Sequence, residues 1–324
     1  MTLRILIGVV IVLGLSAGDV GAQARKVRVA MPGYTIAGIS FLTAKLNGYY
    51  AAEGLDAELI AMRAPTANLA VLSGSVEFST VPLVGLNTAL RGGALKIIMV
   101  HFDKPQHVLY VKNDVPNLKS LRGKKIAVSG PGVIDDVLLR EVLGNNGIDA
   151  NKELTILSMG AADTRVTSLI SGAVEGAMII APFTFTAKDA GFRELVVFRD
   201  QGLLLPSGGV AVRDDTLKNE PALVERFMRA SMMGFIHSRD HRAGAIGVLA
   251  KSLKIDEAIA AKVYDSSRPT MTADGTINDD AQRKMAAFVA KSSGLKEVVA
   301  ADKVFDFSVV RKANAALLAK GWQP

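Results

Sequence analysis

Hydrophobic and polar positions near the start of the chain follow the pattern of a repeating strand–helix unit. The alternation at 27–31 predicts a strand, and the apolar spacing at Ile39–Leu46 predicts a helix. A second strand is expected over 56–62, a second helix over 66–72, and a third strand before Pro82. Alternating strands and helices are typical of a parallel α/β sheet, whose ligands bind at the loops that follow the strands.

The same pattern recurs about 98 residues further along the chain. The strand at 125–129 corresponds to 27–31, and the glycine-containing turn at 130–133 corresponds to 32–35. Further pairs of fragments follow in the same order: 54–56 with 147–149, 71–78 with 169–176, Pro82 with Pro182, and 93–98 with 191–197. The recurrence predicts two similar lobes whose strand-end loops face each other across a cleft.

The chain is predicted to pass between the lobes twice. One crossing lies near 101–112 and the other at 203–212, and together they form a two-strand hinge. After Pro221 the apolar spacing is helical throughout, and these helices are expected to pack back on the first lobe. The predicted fold is α/β, with two lobes that are each a mostly parallel sheet flanked by helices. Lobe I comprises residues 25–110 and 207–324, and lobe II comprises residues 111–206.

Residues 1–24 have the features of a signal peptide. Arg4 gives a positively charged start, 5–15 form an apolar run too short to cross a membrane comfortably, and Ala22-Gln23-Ala24 fits a cleavage site. Cleavage after Ala24 is expected to release an exported mature chain. No later apolar run approaches the length of a membrane span, so the mature chain is not predicted to span a membrane.

Composition and charge restrict the class of protein further. The 324-residue chain is 49% hydrophobic and has no cysteine, which predicts a large apolar core without disulfides or a lipid-modified cysteine. Its formal net charge is +7, but lysine and arginine are scattered among acidic residues with no basic block. This distribution does not predict nucleic-acid binding. It is compatible with an anionic small molecule as the ligand.

Several segments carry a family resemblance. Residues 48–56 read Gly-Tyr-Tyr-Ala-Ala-Glu-Gly-Leu-Asp, and further matching segments are 72–78, 118–128, 170–177 and 210–213. They resemble the solute-binding proteins of ABC importers, in the SsuA/THI5-like, NMT1-like group that binds sulfonates, nitrate or thiamine precursors. The resemblance covers nearly all of the mature chain. It implies a type II periplasmic-binding-protein fold and a periplasmic monomer without a cofactor, which closes on a small molecule and delivers it to the transmembrane subunits of an ABC permease.

If the two lobes close on a ligand, the loops after the repeated strands line the cleft. Several of these loops precede predicted helices, whose free N–H groups favour anions, and their glycines allow close approach of the backbone. Candidate ligand-binding residues in lobe I are Gly33, Tyr34, Thr35, Arg63, Thr66, Thr80, Val81 and His101. Those in lobe II are Ser129, Gly132, Val133, Gly160, Pro182 and Phe183. Phe183 forms either a wall of the cleft or part of the core.

Some of these side chains have a specific predicted role. Tyr34 is a candidate to stack on the ligand or hydrogen-bond it, and Arg63 is a candidate to pair with a carboxylate or sulfonate. The alternatives are an exposed loop tyrosine and a solvated arginine. Thr66 and Thr80 either bond the ligand or cap helices. His101 lies at the predicted hinge and is either structural or faces the cleft.

His237 and His241 stand one helical turn apart, a spacing that can hold a metal. Arg239 and Arg242 flank the pair, and no glutamate follows His237 as a zinc protease motif requires. These features favour a solvated helix face, and no metal site is predicted.

The leading hypothesis is a binding protein, not an enzyme, with a small organic anion such as a sulfonate or carboxylate as its ligand. The sequence has no recognisable nucleophile elbow, Walker loop or paired-carboxylate motif. A binder of a thiamine pyrimidine precursor and a sensor subunit for a membrane receptor are the alternatives. The related pyrimidine synthase uses a cysteine-rich motif, which this chain lacks.

Overall fold

Two five-stranded sheets form the framework of the computed structural model, which describes residues 23–297 and 299–324. The predicted signal peptide therefore lies almost entirely outside the described residues. In spatial order, the strands of the first sheet are β2 (Leu55–Ala61), β1 (Arg25–Met31), β3 (Phe78–Ser79), β10 (Gly208–Arg213) and β4 (Leu95–Phe102). Those of the second sheet are β7 (Thr155–Ser158), β6 (Lys125–Val128), β8 (Gly176–Ile179), β5 (Val108–Val111) and β9 (Arg193–Val197).

Both sheets have the same topology. In the first sheet β1 lies parallel between β2 and β3, while β10 pairs antiparallel with β3 and β4. In the second sheet β6 lies parallel between β7 and β8, while β5 pairs antiparallel with β8 and β9. The sequence repeat is thus a repeated sheet, and the predicted two-lobed α/β fold is confirmed. Each sheet is mostly parallel, as predicted: four strands run in one direction, and a single antiparallel strand lies second from one edge.

The antiparallel strand of each sheet arrives from the other lobe. The chain leaves the first sheet after β4 and crosses at 103–107 to β5 in the second sheet. It returns after β9 through 198–207 to β10 in the first sheet. β5 therefore belongs to the sheet of lobe II, although the sequence assigned residues 108–110 to lobe I.

The two crossings are hydrogen-bonded to each other. The backbone N–H groups of Leu205 and Ser207 donate to the carbonyl oxygens of Asp103 (3.0 Å) and Phe102 (2.9 Å). A buried backbone needs such partners, and here each crossing supplies them for the other. Together these segments form the two-strand hinge.

Helices flank both sheets. In lobe I they are α1 (Ile39–Leu46), α2 (Tyr49–Ala52), α3 (Ala64–Leu72) and α4 (Pro82–Leu90), and in lobe II α5 (Ile134–Asn145), α6 (Ala150–Glu153), α7 (Ala162–Ile170) and α8 (Phe183–Asp189). The C-terminal region adds α9 (Asp214–Asn219), α10 (Pro221–Asp240), α11 (Arg242–Leu253), α12 (Glu257–Ser267), α13 (Asp279–Ser292) and α14 (Ser308–Ala319). Short 3₁₀ turns lie at Ile36–Gly38, Leu118–Leu121, Phe198–Gln201, Arg268–Thr270 and Ala301–Lys303. Within the two described ranges, no helix combines the length and the apolar character needed to cross a lipid bilayer.

Helix α10 attaches the C-terminal region to lobe I. The ring of Phe227 stacks on Phe78 of β3, with 3.8 Å between ring centroids, and on Tyr50 of α2, with 5.5 Å. In the same buried layer, the hydroxyl groups of Tyr50 and Ser231 hydrogen-bond at 3.1 Å. Burial of these rings, together with the satisfied hydroxyl pair, makes α10 part of the core of lobe I.

The C-terminal helices also reach lobe II, which the sequence did not predict. Phe183 and Phe185 at the start of α8 pack against an apolar cluster that includes Ala245 of α11 and Val263 of α12. In addition, Lys291 Nζ of α13 lies 3.5 Å from a carboxylate oxygen of Glu141 in α5. The lobes therefore contact each other outside the hinge as well.

Gly234 allows α10 and α1 to approach closely. A Cβ atom at this position would lie 2.1 Å from the carbonyl oxygen of Ser40 and 2.8 Å from Ala44 Cβ. One turn further along α10, the hydroxyl groups of Ser238 and Thr43 hydrogen-bond at 2.8 Å. The distance between the two helices thus depends on the absence of a side chain at Gly234.

We expect Gly234→Ala to lower the free energy of unfolding by about 1–3 kcal/mol, because the added methyl group must push α10 away from α1. The matched control is Gly247→Ala in α11, where a Cβ atom would meet nothing within 4 Å. There the higher helix propensity of alanine should raise the free energy of unfolding by up to about 1 kcal/mol. Urea unfolding followed by circular dichroism measures both, and equal effects at the two sites would contradict a close crossing at Gly234.

Candidate functional site

A cavity of about 360 Å³ lies between the two lobes. Its lobe I side is formed by the loops after β1, β2 and β3, and its lobe II side by the loops after β6, β7 and β8. His107, Pro206 and Ser207 of the hinge complete the lining. Equivalent loops of the repeated unit therefore face each other, as the sequence repeat predicts.

Helices α3, α4, α5 and α7 begin at this cavity. The first N–H groups of a helix have no partner within it and lie at the positive end of its dipole. In lobe I, neither α3 nor α4 has an acidic residue in its first turn or a side-chain hydrogen bond from its preceding residue. In lobe II, by contrast, aspartates occupy the first turns of α5 and α7. The positive potential of the helix ends is therefore strongest on the lobe I side.

Arg165 of α7 lines the cavity with a side chain that is only 4% exposed. Its Nε donates to the carbonyl oxygen of Met178 at 2.7 Å, and its Nη1 donates to the carbonyl oxygen of Gly160. Burial lowers the pKa of Arg165 from its ordinary value, and the neighbouring Asp135 opposes that shift. Arg165 thus fixes the loop after β7 against β8 while keeping a positive charge beside the cavity.

Asp135 of α5 is the buried counter-charge of Arg165. Its Oδ2 lies 3.8 Å from Arg165 Nη2 and accepts the N–H of Ser129 at 2.7 Å. Its Oδ1 accepts the hydroxyl of Ser129. Ser129 therefore bonds the carboxylate directly, with no imidazole between them, an arrangement that differs from a Ser–His–Asp relay.

His107 brings an uncharged imidazole to the hinge side of the cavity. Burial lowers the pKa of His107 to about 4; Asp135 opposes the shift and Arg165 adds to it. The Nδ1 atom of His107, the hydroxyl of Thr80 and the hydroxyl of Ser207 are buried without a hydrogen-bond partner among the described residues. Unpaired buried polar atoms are costly. All three residues line the same cavity, so their polar atoms are available to water or to a polar group of a ligand.

Arg63 is the exposed cation of the cavity. A Cβ atom on Gly160 would lie 3.8 Å from Arg63 Nε, so this lobe I side chain reaches the opposite loop of lobe II. Within residues 23–297 and 299–324, no carboxylate lies within the 4.0 Å of an ion pair from Arg63. The described lining also contains no aspartate or glutamate. The site is therefore electrostatically suited to an anion.

The structure brings part of the predicted set of site residues together. Those that line the cavity are Gly33, Thr35, Arg63, Thr80, Val81, Ser129, Val133 and Gly160. Those that do not are Tyr34, Thr66, His101, Gly132, Pro182 and Phe183. The first set is drawn from loops of both lobes, which are the loops expected from the strand ends.

Tyr34, Thr66 and Phe183 lie near the cavity without lining it. Tyr34 is 50% exposed and borders a separate outer groove that also includes Lys251. Thr66 lies in the first turn of α3 with its side chain exposed. Phe183 packs in the apolar clusters of α8 and the C-terminal helices. Of its two predicted roles, it is therefore part of the core and not a wall of the cleft.

His101 does not face the cavity, because its ring is enclosed in the core. Its Nε2 donates to the carbonyl oxygen of Ala37 at 3.0 Å, and the rings of Phe41, Phe102 and Phe235 surround it. Burial lowers the pKa of His101 to about 3, against a smaller opposing effect of the Ala37 carbonyl. Of the two interpretations of His101, the geometry fits the structural one.

Several lining residues were missed in the sequence. His107 and Ser207 fall within the predicted crossings. Their position at the hinge was the sequence feature that could have identified them as cavity residues. The signal for Arg165 was weaker: it takes an interior position of the buried stripe that runs from Ala162 to Leu169 of α7. A charged residue on such a stripe must find buried partners, which is a mark of a special site.

A repeated sheet, two paired crossings and a cavity between the lobes define a type II periplasmic-binding-protein fold. Residues 37–245 match the family model described as NMT1/THI5 like, which spans more than half of the chain. The chain belongs to the NMT1/THI5-like family. No curated protein matches the sequence.

Solved structures with this fold include binding proteins and an enzyme. The alkanesulfonate-binding protein SsuA from Xanthomonas axonopodis pv. citri, bound to MOPS, has a TM-score of 0.71 and 18% identity over 88% of this chain and 100% of that one. The periplasmic aliphatic sulphonate-binding protein SsuA from Escherichia coli has a TM-score of 0.68 and 17% identity over 86% and 96%. The desulfurization enzyme DszB has a TM-score of 0.65 and 15% identity over 90% and 99%. At these identities the likeness shows the fold alone.

We expect acid to destabilise the protein through its two buried neutral histidines. The pKa of His101 is about 3 and that of His107 about 4 in the folded chain, against roughly 6.5 when unfolded. Below that ordinary value the unfolded chain takes up protons that the folded chain does not, so the free energy of unfolding falls as the pH falls towards the folded values. At about pH 5 each histidine should cost roughly 2 kcal/mol relative to about pH 7.5.

Urea unfolding at both pH values measures this loss. His101→Phe keeps an aromatic ring among its aromatic neighbours and should make the loss smaller by about 2 kcal/mol. The control is Ile98→Val in the same buried strand, which removes no titratable group and should lower stability equally at both pH values. An unchanged pH dependence in His101→Phe would mean that His101 does not contribute as a buried neutral group.

Proposed function

We propose that this protein is an exported solute-binding protein that captures a small organic anion between its lobes and delivers it to an ABC permease. The observation that carries the proposal is the lining of the cavity, which in its described part includes Arg63 and Arg165 and no acidic residue. Helix starts without acidic residues add to this positive potential on the lobe I side.

The ligand is expected to combine an apolar body with an anionic end. At about 360 Å³, the cavity is near the lower end of the range of about 300–1,000 Å³ that is usual for small-molecule sites. Most of its surface is apolar, with contributions from Met62, Leu83, Val84, Ile134 and Ile180. The planar guanidinium of Arg63 offers paired N–H donors that match the oxygen atoms of a carboxylate or sulfonate.

A sulfonate is the first anion to test. The SsuA protein of Xanthomonas axonopodis is named as alkanesulfonate-binding and is bound to MOPS, and that of Escherichia coli is named as binding aliphatic sulphonates. These proteins share the fold of this chain, and the chain offers a cation and free helix starts in a cavity of suitable size. The likeness and the cavity together support a sulfonate ahead of nitrate or a carboxylate.

Binding is expected to act through closure of the hinge. Arg63 of lobe I reaches towards Gly160 of lobe II, so a ligand between them touches both lobes at once. Contacts that both lobes make only when closed shift the equilibrium towards the closed form. The closed form is then the shape that the permease recognises.

The proposed location is the periplasm, where the mature chain acts as a monomer. The predicted signal peptide at 1–24 supports export. A sensor subunit that presents the closed form to a membrane receptor is the alternative role. Neighbouring genes for a permease and an ATPase would favour uptake, whereas a neighbouring kinase gene would favour sensing.

A thiamine pyrimidine precursor is the second candidate ligand, because the chain belongs to the NMT1/THI5-like family. An aminopyrimidine carries no anionic group for Arg63, so its binding should depend little on that side chain. The fold is also shared with the desulfurization enzyme DszB, and for this reason the ligand test includes a search for turnover.

We expect Arg63→Ala to weaken sulfonate binding by about 10- to 100-fold, because it removes a charge-assisted hydrogen bond. The matched control is Arg311→Ala, which removes an exposed arginine of α14 outside the cavity lining and should leave the affinity unchanged. The mature protein is tested against a panel of candidate ligands: MOPS, short alkanesulfonates, carboxylates, nitrate and pyrimidines. Thermal shift identifies the ligand, since a tight ligand stabilises the folded state, and calorimetry measures its affinity.

Equal affinity in wild type and Arg63→Ala would remove this residue from the anion site. Stabilisation by pyrimidines alone would favour the precursor binder. Consumption of a sulfonate or sulfinate during incubation would identify an enzyme, whereas saturable binding without a product fits the proposed carrier.

A further inference from the structure

His237 and His241 form a pair of imidazoles where α10 ends and α11 begins, outside the lining of the cavity. The Nδ1 atom of His241 lies 3.2 Å from the Nε2 atom of His237, and the ring planes are 85° apart. The expectation of a solvated helix face is wrong for His237, which is only 8% exposed. His241 is exposed and gives solvent access to the pair.

The orientation of His237 is fixed through its other ring nitrogen. The hydroxyl oxygen of Tyr49 lies 3.0 Å from His237 Nδ1, and Asn47 Nδ2 lies 3.3 Å from the same atom. With the proton on Nδ1, both Nδ1–H and the Asn47 amide donate to the Tyr49 hydroxyl oxygen, and the lone pair of Nε2 is left on the side of His241. Metal-binding histidines commonly hold their second nitrogen in such a hydrogen bond, which sets both the tautomer and the ring orientation.

Gly244 keeps the space beside both nitrogen atoms free of a side chain. A Cβ atom on Gly244 would lie 2.2 Å from His237 Nε2 and 2.4 Å from His241 Nδ1. Any other residue at this position would push the two imidazoles out of their present arrangement. The pair is therefore built by α10, by Asn47 and the start of α2, and by the first turn of α11.

The spacing of the nitrogen atoms fits chelation of one ion. Two imidazole nitrogens that each lie about 2.0–2.1 Å from a tetrahedral metal are roughly 3.3–3.4 Å apart. The observed 3.2 Å is close to that value. At this distance the two rings form an N–H···N hydrogen bond, and a bound ion would take the place of its proton.

We infer that His237 and His241 bind a divalent transition metal of the Zn²⁺, Ni²⁺ and Cu²⁺ class, for which imidazole is a preferred ligand. The chain has four histidines and no cysteine. The other two histidines, His101 and His107, are buried. The described residues contain no group of three or more histidine, cysteine, aspartate or glutamate side chains that could hold a metal, so water completes the coordination. A site with two protein ligands binds an exchangeable ion.

Bound metal is expected to be sensed by Trp322, the single tryptophan of the chain. The ring of Tyr49 meets Trp322 edge to face, with 5.6 Å between centroids, and the same Tyr49 bonds His237. Paramagnetic Cu²⁺ and Ni²⁺ quench nearby indole fluorescence, whereas Zn²⁺ does not. The chain thus contains its own reporter for this site.

The experiment titrates the mature, tag-free protein with NiCl₂ and CuCl₂ while the fluorescence of Trp322 is recorded. Saturable quenching at about one ion per chain is expected, together with competition by Zn²⁺ and no effect of Mg²⁺. His241→Ala, which removes an exposed ligand, should weaken binding at least about tenfold, and Tyr49→Phe should weaken it by about 10-fold or more by loss of the orienting hydroxyl. Circular dichroism checks that each variant is folded.

Gly244→Ala is the second variant, because it keeps both histidines but places a methyl group against their nitrogen atoms. It should also weaken quenching, and as an alanine in a helix it should not unfold the protein. Quenching that is equally strong in wild type, His241→Ala and Gly244→Ala would overturn the assignment. The absence of saturable quenching in the wild type would overturn it as well.

Discussion

The hydrogen-bonded pair of crossings between the lobes is the constraint on which the rest of the structure depends. The N–H groups of Leu205 and Ser207 bond the carbonyl groups of Asp103 and Phe102, and beyond this point each segment enters the opposite sheet. Each sheet is therefore completed by an antiparallel strand that arrives from the other lobe. Because the cavity borders this hinge, a change in the angle between the lobes alters the cavity without breaking either sheet.

Close packing at the hinge explains why His101 lies there without facing the ligand site. A Cβ atom on Gly209 would lie 2.0 Å from the carbonyl oxygen of Met99, and one on Gly208 would lie 2.2 Å from His101 Nε2. At its start the returning strand β10 therefore lies against β4 at a distance that only glycine allows. His101 in turn bonds Ala37, whose loop lines the cavity. Strand, buried imidazole and cavity loop form one connected unit, in which His101 has a structural role.

The fold was largely predictable from the sequence because hydrophobic periodicity is a local property. The helix expected at Ile39–Leu46 has those bounds in the structure, and the sequence repeat corresponds to the two sheets. Loops at strand ends were predictable too, which is why Arg63 was placed at the cavity. Arg165 was harder to predict, because its partners are carbonyl groups that only the folded chain brings to it. The contact of Phe183 with the C-terminal helices was likewise hidden, since it joins segments that are distant in sequence.

The two lobes share a scaffold but differ in the charge that they bring to the cavity. Arg63 directly precedes α3, and Arg165 lies near the start of α7, the equivalent helix of lobe II. Two donors of Arg165 are engaged by backbone carbonyls, and Asp135 lies beside it, so fewer of its N–H groups are available to a ligand than those of Arg63. Arg63 is exposed and forms no ion pair with a carboxylate among the described residues. An anion held by Arg63 therefore meets mainly apolar atoms across the cavity, such as those of Val133 and Ile180. Under the proposed function, the apolar body of the ligand, not a second ion pair, would supply the contact with lobe II.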